Sequence, residues 1–178
     1  LDLVIEAHPD QAHATGLIDI LQRYRVARLF TSGNQGSGPV MQTLQKTIAG
    51  ARTRGVLVQA LKRGDVVRLG TSTGSGQATA YIEVLFPDRD LSAASASDAC
   101  LEMKLVYGST SFMLSCGNAS IENYLARLDG TTLHADVLAG NDGNATSSEL
   151  FSGFVGAQFQ AQKGETFVSD GQTVSLEN

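Results

Sequence analysis

The sequence predicts a layered, mixed α/β domain. Apolar runs of strand length alternate with segments of helical periodicity in the first third of the chain, giving strand–helix–strand–helix. Several hairpin strands follow, and then a strand, a helix and a last hairpin. This order is typical of sheets covered by helices. With 178 residues, of which 42% are hydrophobic and 17% charged, the chain is long enough to bury a core as one domain over residues 1–178.

The first half of the chain supplies the elements with the clearest periodicity. Apolar positions recur at helical spacing after Gly16, and Pro39 suits the first turn of a second amphipathic helix. A Gly/Ser/Thr-rich segment then predicts a loop. The elements predicted here are strands at 1–7 and 26–33, a strand–turn–strand at 56–70, helices at 16–25 and 39–55, and a loop at 71–80.

The second half is richer in hairpins. Pro87 stops a strand, Ser120 and Gly130 suit the two ends of a helix, and Ser147 or Ser148 can cap a shorter one. The dipeptide Asp170-Gly171 is a strong turn signal. The elements predicted here are a strand at 80–87, a polar loop at 88–98, hairpins at 100–116 and 165–178, helices at 119–130 and 147–157, and a strand and polar turn at 134–143.

The two cysteines, Cys100 and Cys116, lie at the two ends of the first hairpin. If its turn lies at Gly108-Ser109, opposite residue numbers sum to about 217 and Cys116 faces Leu101. Cys100 then points to the other side of the sheet, so we expect the two cysteines not to form a disulfide.

Three polar turns each follow a buried strand: EAHPDQAHATG (6–16), LSCGNAS (114–120) and LAGNDGNATSS (138–148). Sites in layered α/β folds tend to lie just beyond strand ends. Taken alone, the first turn has two readings. His8, Asp10 and His13 are either metal ligands or part of an ordinary strand-to-helix turn in which Asp10 accepts backbone N–H bonds.

In order and context, these turns resemble three motifs of the metallo-β-lactamase fold in the form found in ComEC-type competence proteins. The family's His-x-Asp-x-Asp-His turn, followed by Gly-Leu, is similar to residues 8–13 with Gly16-Leu17. Its Leu-Thr-Gly-Asp strand end, followed by a helix containing Glu, is similar to residues 114–118 with Glu122. Its Asp-Val-Leu strand running into His-His-Gly-Ser is similar to residues 136–144. Further similar segments are KRGDVVRLG, VLFPDRD and LVYGSTSF, so the resemblance covers most of the chain.

The resemblance implies an αββα sandwich of mixed sheets that lacks the family's first strands and a late strand–loop segment. It also implies a pair of metal ions, one bridging aspartate and hydrolysis of phosphodiesters in DNA during uptake. In its parent proteins the ComEC-type domain lies outside the cytoplasmic membrane. The sequence itself fixes no compartment.

The departures from the family pattern fall on the ligands. Ala12 stands where the family has its second aspartate, Asn118 where it has the bridging aspartate, and Asn141-Asp142 where it has His-His. His8, Asp10 and His13 remain as ligands, with Asp142 as the one candidate for a fourth. We therefore expect one zinc ion at most, and the ligand losses favour none.

The function expected from this pattern is a ComEC-like metal-dependent phosphodiesterase domain that has degenerated, so whether it is an enzyme stays open. The alternative is a non-catalytic structural or binding domain, natural or engineered, that keeps only the fold. DNA is a partner by resemblance alone, since a net charge of -5 gives no bulk attraction to nucleic acid. No apolar run reaches membrane-span length. Open sheet edges predict self-association.

Other candidate residues have plainer readings that we favour. Asp142 suits a turn before Gly143, His134 suits the start of a strand, and Asn118 suits a turn or a helix N-cap. Cys116 could be a soft ligand, but burial is the commoner role. The glycine-rich segment 33–38 lacks the lysine of a phosphate-binding loop. A basic run reads as a solvated face and comprises Arg52, Arg54, Lys62, Arg63 and Arg68.

Overall fold

The computed structural model of the protein describes residues 1–70, 80–140 and 147–177, and the mixed α/β class is confirmed. The chain forms two compact units: Leu1–Lys62 with Pro87–Leu101, and Arg63–Phe86 with Glu102–Asn178. Within the described part of the chain, no helix is both long and apolar enough to span a membrane.

The first unit is built on a parallel three-stranded sheet, ordered β1-β2-β3. Two helices connect the strands, and their apolar faces pack with Leu29 of the central strand into one core. Crossover helices of this kind place their N-termini at the carboxyl edge of the sheet. The elements are β1 (Leu3–Ile5), α1 (Gln11–Arg23), β2 (Arg28–Thr31), α2 (Pro39–Thr53) and β3 (Leu57–Ala60).

Helix α1 begins earlier than the sequence periodicity predicts, at Gln11 and not at Gly16. Asp10 takes the N-cap position and accepts a hydrogen bond from the backbone N–H of His13. This cap starts the helix inside the polar turn, so His13 is a helical residue and Ala12 lies exposed in the first turn.

The second unit contains a six-stranded sheet, ordered β4-β5-β6-β7-β8-β9, and a separate antiparallel pair, β10-β11. Strands β4 to β7 pair antiparallel, and β8 and β9 add in parallel. The strands are β4 (Val66–Leu69), β5 (Ala80–Phe86), β6 (Glu102–Tyr107), β7 (Thr110–Ser115), β8 (Val137–Gly140), β9 (Phe159–Ala161), β10 (Thr166–Ser169) and β11 (Val174–Glu177). The helices are α3 (Ala119–Asp129) and α4 (Glu149–Val155).

The predicted register of the β6–β7 hairpin is confirmed, because Tyr107 pairs with Thr110 and Met103 with Leu114. The prediction that Cys100 and Cys116 stay apart is wrong: they are disulfide-bonded. The two-residue alternation used in that prediction holds only within the ladder. Cys100 precedes the first residue of β6 and Cys116 follows the last residue of β7, so alternation does not fix where their side chains point.

Helix ends in the second unit follow short polar side chains. Asn118, not Ser120, caps α3, and Gly130 ends that helix with a positive φ of 53° as predicted. Ser148 caps α4 by accepting a hydrogen bond from the N–H of Phe151. In the turn between β10 and β11, Asp170 Oδ1 accepts from two backbone N–H groups, as the Asp-Gly signal predicts. Strand β9 was not predicted.

Candidate functional site

The first polar turn brings His8, Asp10 and His13 together at the carboxyl edge of the parallel sheet. Asp10 Oδ2 lies 2.9 Å from His8 Nδ1, and Asp10 Oδ1 lies 2.8 Å from His13 Nδ1. The two imidazole rings are tilted by 56°, with centroids 6.1 Å apart. One ligand atom from each of the three residues lies within 4.8 Å of the others, so the predicted first-motif triplet is a compact group.

The Asp10 carboxylate sets the orientation of both histidines. Burial acts to raise the pKa of Asp10, but hydrogen bonds from the backbone and ring of His13, the charge of His13 and the His8 ring outweigh it and hold the pKa below its usual range. An ionised carboxylate only accepts hydrogen bonds, so Nδ1 of each histidine is the donor. In the neutral form of either ring, the unprotonated nitrogen is then Nε2, the atom that can bind a metal.

Glu6, the residue that follows β1, is an acid that sequence reasoning missed. Its side chain is 5% exposed, and neither carboxyl oxygen has a hydrogen-bond partner among the described residues. Burial and then the charge of Asp10 raise the pKa of Glu6 to about 7. The signal was present in the sequence, since LDLVIEA places an acidic residue at the end of an otherwise apolar buried strand.

The glycine-rich loop before α2 packs closely beside this turn. A side chain at Gly36, where φ is 62°, would crowd Met41 and the carbonyl oxygen of Pro9. Asn34 holds the loop by donating to the carbonyl oxygens of Leu91 and Ala94, at 2.6 and 3.0 Å. These contacts give the 33–38 loop a structural role, consistent with its lack of a phosphate-binding lysine.

Those of the remaining predicted site positions that the structure describes do not join this group. Asn118 is occupied as the N-cap of α3, where its side chain accepts from the N–H groups of Ser120 and Ile121. His134 is exposed at the start of β8, with Nδ1 3.0 Å from the carbonyl oxygen of Val155. The sulfur of Cys116 is in a disulfide and so is not a free thiolate ligand. Asn141 and Asp142 lie outside the described residues.

A second acidic group lies inside the second unit, and it joins Glu122 of the second resemblance motif to Glu102, which was missed from the sequence. Glu102 and Glu122 are both 0% exposed, and Ser115 Oγ lies 3.2 Å from Glu102 Oε1 and 2.7 Å from Glu122 Oε1. The N–H of Cys116 donates to Glu102 Oε1 and that of Ser148 to Glu122 Oε2, at 3.2 and 2.5 Å. These hydrogen bonds connect the end of β7 with the starts of β6, α3 and α4.

The two acids of this group are satisfied to different extents. Both oxygens of Glu122 accept hydrogen bonds, whereas Oε2 of Glu102 has no partner among the described residues. Burial raises the pKa of Glu102 to about 8, the Cys116 N–H bond opposes this, and the charge of Glu122 adds to it. Glu102 therefore favours its neutral form at neutral pH, with Oε1 accepting from Ser115 Oγ and from the Cys116 N–H.

The donor set of the first turn fits a divalent metal. Imidazoles are ligands that zinc and related cations accept, and a carboxylate bonded to Nδ1, as Asp10 is here, is the usual partner of a ligating histidine. Glu6 is not among the residues whose ligand atoms gather at this turn. No protein-family model and no curated protein matches this sequence, so the ComEC-type resemblance rests on the motifs alone.

Proposed function

We propose that this chain is a degenerate ComEC-like domain that holds one divalent metal ion at the turn of His8, Asp10 and His13, with the two histidines as ligands and Asp10 as the residue that orients them. The observation that supports this most strongly is the single carboxylate of Asp10 bonded to Nδ1 of both histidines. A strand-to-helix turn needs only the cap that Asp10 gives to the His13 N–H. The two ring contacts go beyond that need and gather both imidazoles at one carboxylate.

The activity that the family resemblance implies is hydrolysis of phosphodiesters, with DNA as substrate. A bound zinc ion supplies a water of lowered pKa and stabilises negative charge on a phosphoryl oxygen. His8 and His13 would hold the ion, and Asp10 would orient them and keep the proton on Nδ1. The αββα sandwich of the metallo-β-lactamase fold belongs to the same proposal.

Any such activity is weak, because a second metal lacks its ligands. Asn118 is a neutral amide committed to capping α3, and Ala12 offers no ligand atom. Without a bridging carboxylate, the clamp that two metals provide on attacking and leaving oxygens is lost. We expect orders of magnitude less activity than a dinuclear enzyme has.

The test is hydrolysis of bis(p-nitrophenyl) phosphate and of single-stranded DNA by protein loaded with zinc or manganese. The proposal expects slow turnover that disappears in the double variant His8→Ala/His13→Ala and persists in Glu102→Gln, a variant of a buried acid in the other unit. Equal turnover in wild type and double variant would refute hydrolysis at this turn.

The second candidate is a non-catalytic structural or binding domain, and one observation favours it. The position of the family's bridging aspartate has become a helix cap, with Asn118 Oδ1 3.0 Å from the N–H of Ser120. Structural use of a former ligand position fits a domain maintained for its fold. Metal binding without turnover in the test above would support this candidate. In that case the partner is either DNA or a second copy of the chain that pairs through open sheet edges.

A further inference from the structure

We propose that the Cys100–Cys116 disulfide is redox-active and exchanges with a dithiol, and that Glu102 is the acid that protonates the departing sulfur of Cys100. This activity is separate from the metal site proposed at the first turn, and it stands whether or not that turn binds a metal. The groups that carry it are the disulfide and a buried carboxyl in contact with it.

The carboxyl of Glu102 lies against the disulfide. Its Oε1 is 3.1 Å from the sulfur of Cys116, and one carboxyl oxygen and the sulfurs of Cys100 and Cys116 all lie within 4.8 Å of one another. Glu102 is fully buried, so its carboxyl is shielded from bulk water. The carboxyl is therefore positioned to pass a proton to a sulfur when the S–S bond breaks.

The two oxygens of this carboxyl have different roles. Oε1 accepts from Ser115 Oγ and from the N–H of Cys116, whereas Oε2 has no partner among the described residues. Because burial raises the pKa of Glu102 to about 8, the carboxyl favours its neutral form, and its proton is then on Oε2. A disulfide has no hydrogen to share with this oxygen, whereas the thiols formed by reduction are donors. Reduction therefore gives Oε2 the partner that it lacks in the oxidised protein.

The two cysteines differ in exposure, which determines the sulfur that is attacked. Cys100 is fully buried, whereas Cys116 is half-buried at the end of β7. An external thiolate therefore bonds to Sγ of Cys116, the S–S bond breaks, and its electron pair goes to Sγ of Cys100. A thiolate is unfavourable in a buried site, and the charge of Glu122, which acts on Glu102, makes it more so. The proton of Glu102 neutralises the new thiolate.

The second half of the exchange restores the acid. The second thiol of the reductant gives its proton to the Glu102 carboxylate and attacks Sγ of Cys116, so the mixed disulfide breaks and the reductant leaves oxidised. The sulfur of Cys116 then takes from water the proton that the first thiol released on becoming a thiolate. Two electrons and two protons have moved from the dithiol to the cysteine pair, and Glu102 is unchanged.

The experiment measures how fast dithiothreitol reduces the disulfide of the folded chain, for wild type and Glu102→Gln across the pH range. Samples are quenched by alkylation, the modified cysteines are counted by mass spectrometry, and each rate is divided by the concentration of dithiothreitol thiolate. Gln keeps the shape of Glu and cannot supply the proton. We expect wild type to be about a hundredfold faster near about pH 6, the low end of general acid catalysis. This ratio should fall to about one near about pH 9, where Glu102 is ionised.

Reduction that occurs only through unfolding would give the opposite pH pattern. A raised pKa makes wild type less stable relative to Glu102→Gln as pH rises, so the ratio of rates would then rise with pH. Glu122→Gln is the matched control, since it changes the neighbouring buried acid and keeps Glu102; its rate should fall with pH as that of wild type does. Equal rates for wild type and Glu102→Gln at every pH, a ratio that rises with pH, or no reduction of folded wild type would each overturn the inference.

Discussion

Replacing Glu102 by glutamine should change how the stability of this protein depends on pH. The side chain is 0% exposed, and burial raises its pKa from 4.5 to about 8. A folded state with the higher pKa binds the proton more tightly than the unfolded state does. The stabilisation from this carboxyl is therefore complete below the unfolded pKa of 4.5, falls as pH rises and is gone above about 8.

The size of the effect follows from the same two pKa values. At about 1.4 kcal/mol for each pH unit, the change from 4.5 to about 8 corresponds to about 5 kcal/mol of unfolding free energy. Glutamine stays neutral across this range. We expect Glu102→Gln to match wild type near about pH 5 and to be more stable by several kcal/mol at about pH 9.

The assay is urea denaturation followed by far-ultraviolet circular dichroism, since the chain has no tryptophan. Subtracting the unfolding free energy of wild type from that of the variant at each pH cancels the contributions of all other titratable groups. Glu122→Gln is the contrasting variant. Both Glu122 oxygens accept hydrogen bonds, so this change should destabilise the protein by about 1.5–3 kcal/mol. A Glu102→Gln curve that runs parallel to wild type at every pH would refute the argument.

Three further changes test other parts of the structure. Asn118→Ala should lower stability by about 1 kcal/mol through loss of the α3 cap, whereas Asn118→Asp should keep it, measured by urea midpoint; equal loss in both would contradict a capping role. Gly108→Ala should be destabilising in thermal melts, because φ is 61° and a Cβ would collide with the backbone of Gly171, while Gly153→Ala, with open space around it, should not be. Reducing the Cys100–Cys116 disulfide should lower the free energy of unfolding by about 3 kcal/mol, because the loop that the bond closes is released. Adding reductant to a Cys100→Ser/Cys116→Ser variant should have no such effect.

The strands and helices that carry strong apolar periodicity could be predicted from the sequence. The β6–β7 register followed from Gly108-Ser109, because a tight turn between two alternating runs fixes which residues oppose each other. The start of α1 could not be read from apolar spacing, since its first turn contains Ala12 and His13 and is fixed by the Asp10 cap.

The residues of the candidate site also divide into those that the sequence predicted and those that it did not. His8, Asp10 and His13 were identified because local spacing determines a turn of six residues. Glu102 was missed because alternation along a strand does not say whether the second face is covered. Glu122 carried a readable signal: it lies in the buried stripe of α3 beside Ile121 and Leu125, where an acid needs a partner.

The central claim is that EAHPDQAHATG is a ligand turn, and metal stoichiometry tests it most directly. Untagged protein would be dialysed against trace zinc and manganese, and its metal content determined by inductively coupled plasma mass spectrometry. The account predicts about one equivalent in wild type, lost in His8→Ala/His13→Ala, because one carboxylate–dihistidine group holds one ion. Metal far below one equivalent in wild type, or equal content in the double variant, would contradict it.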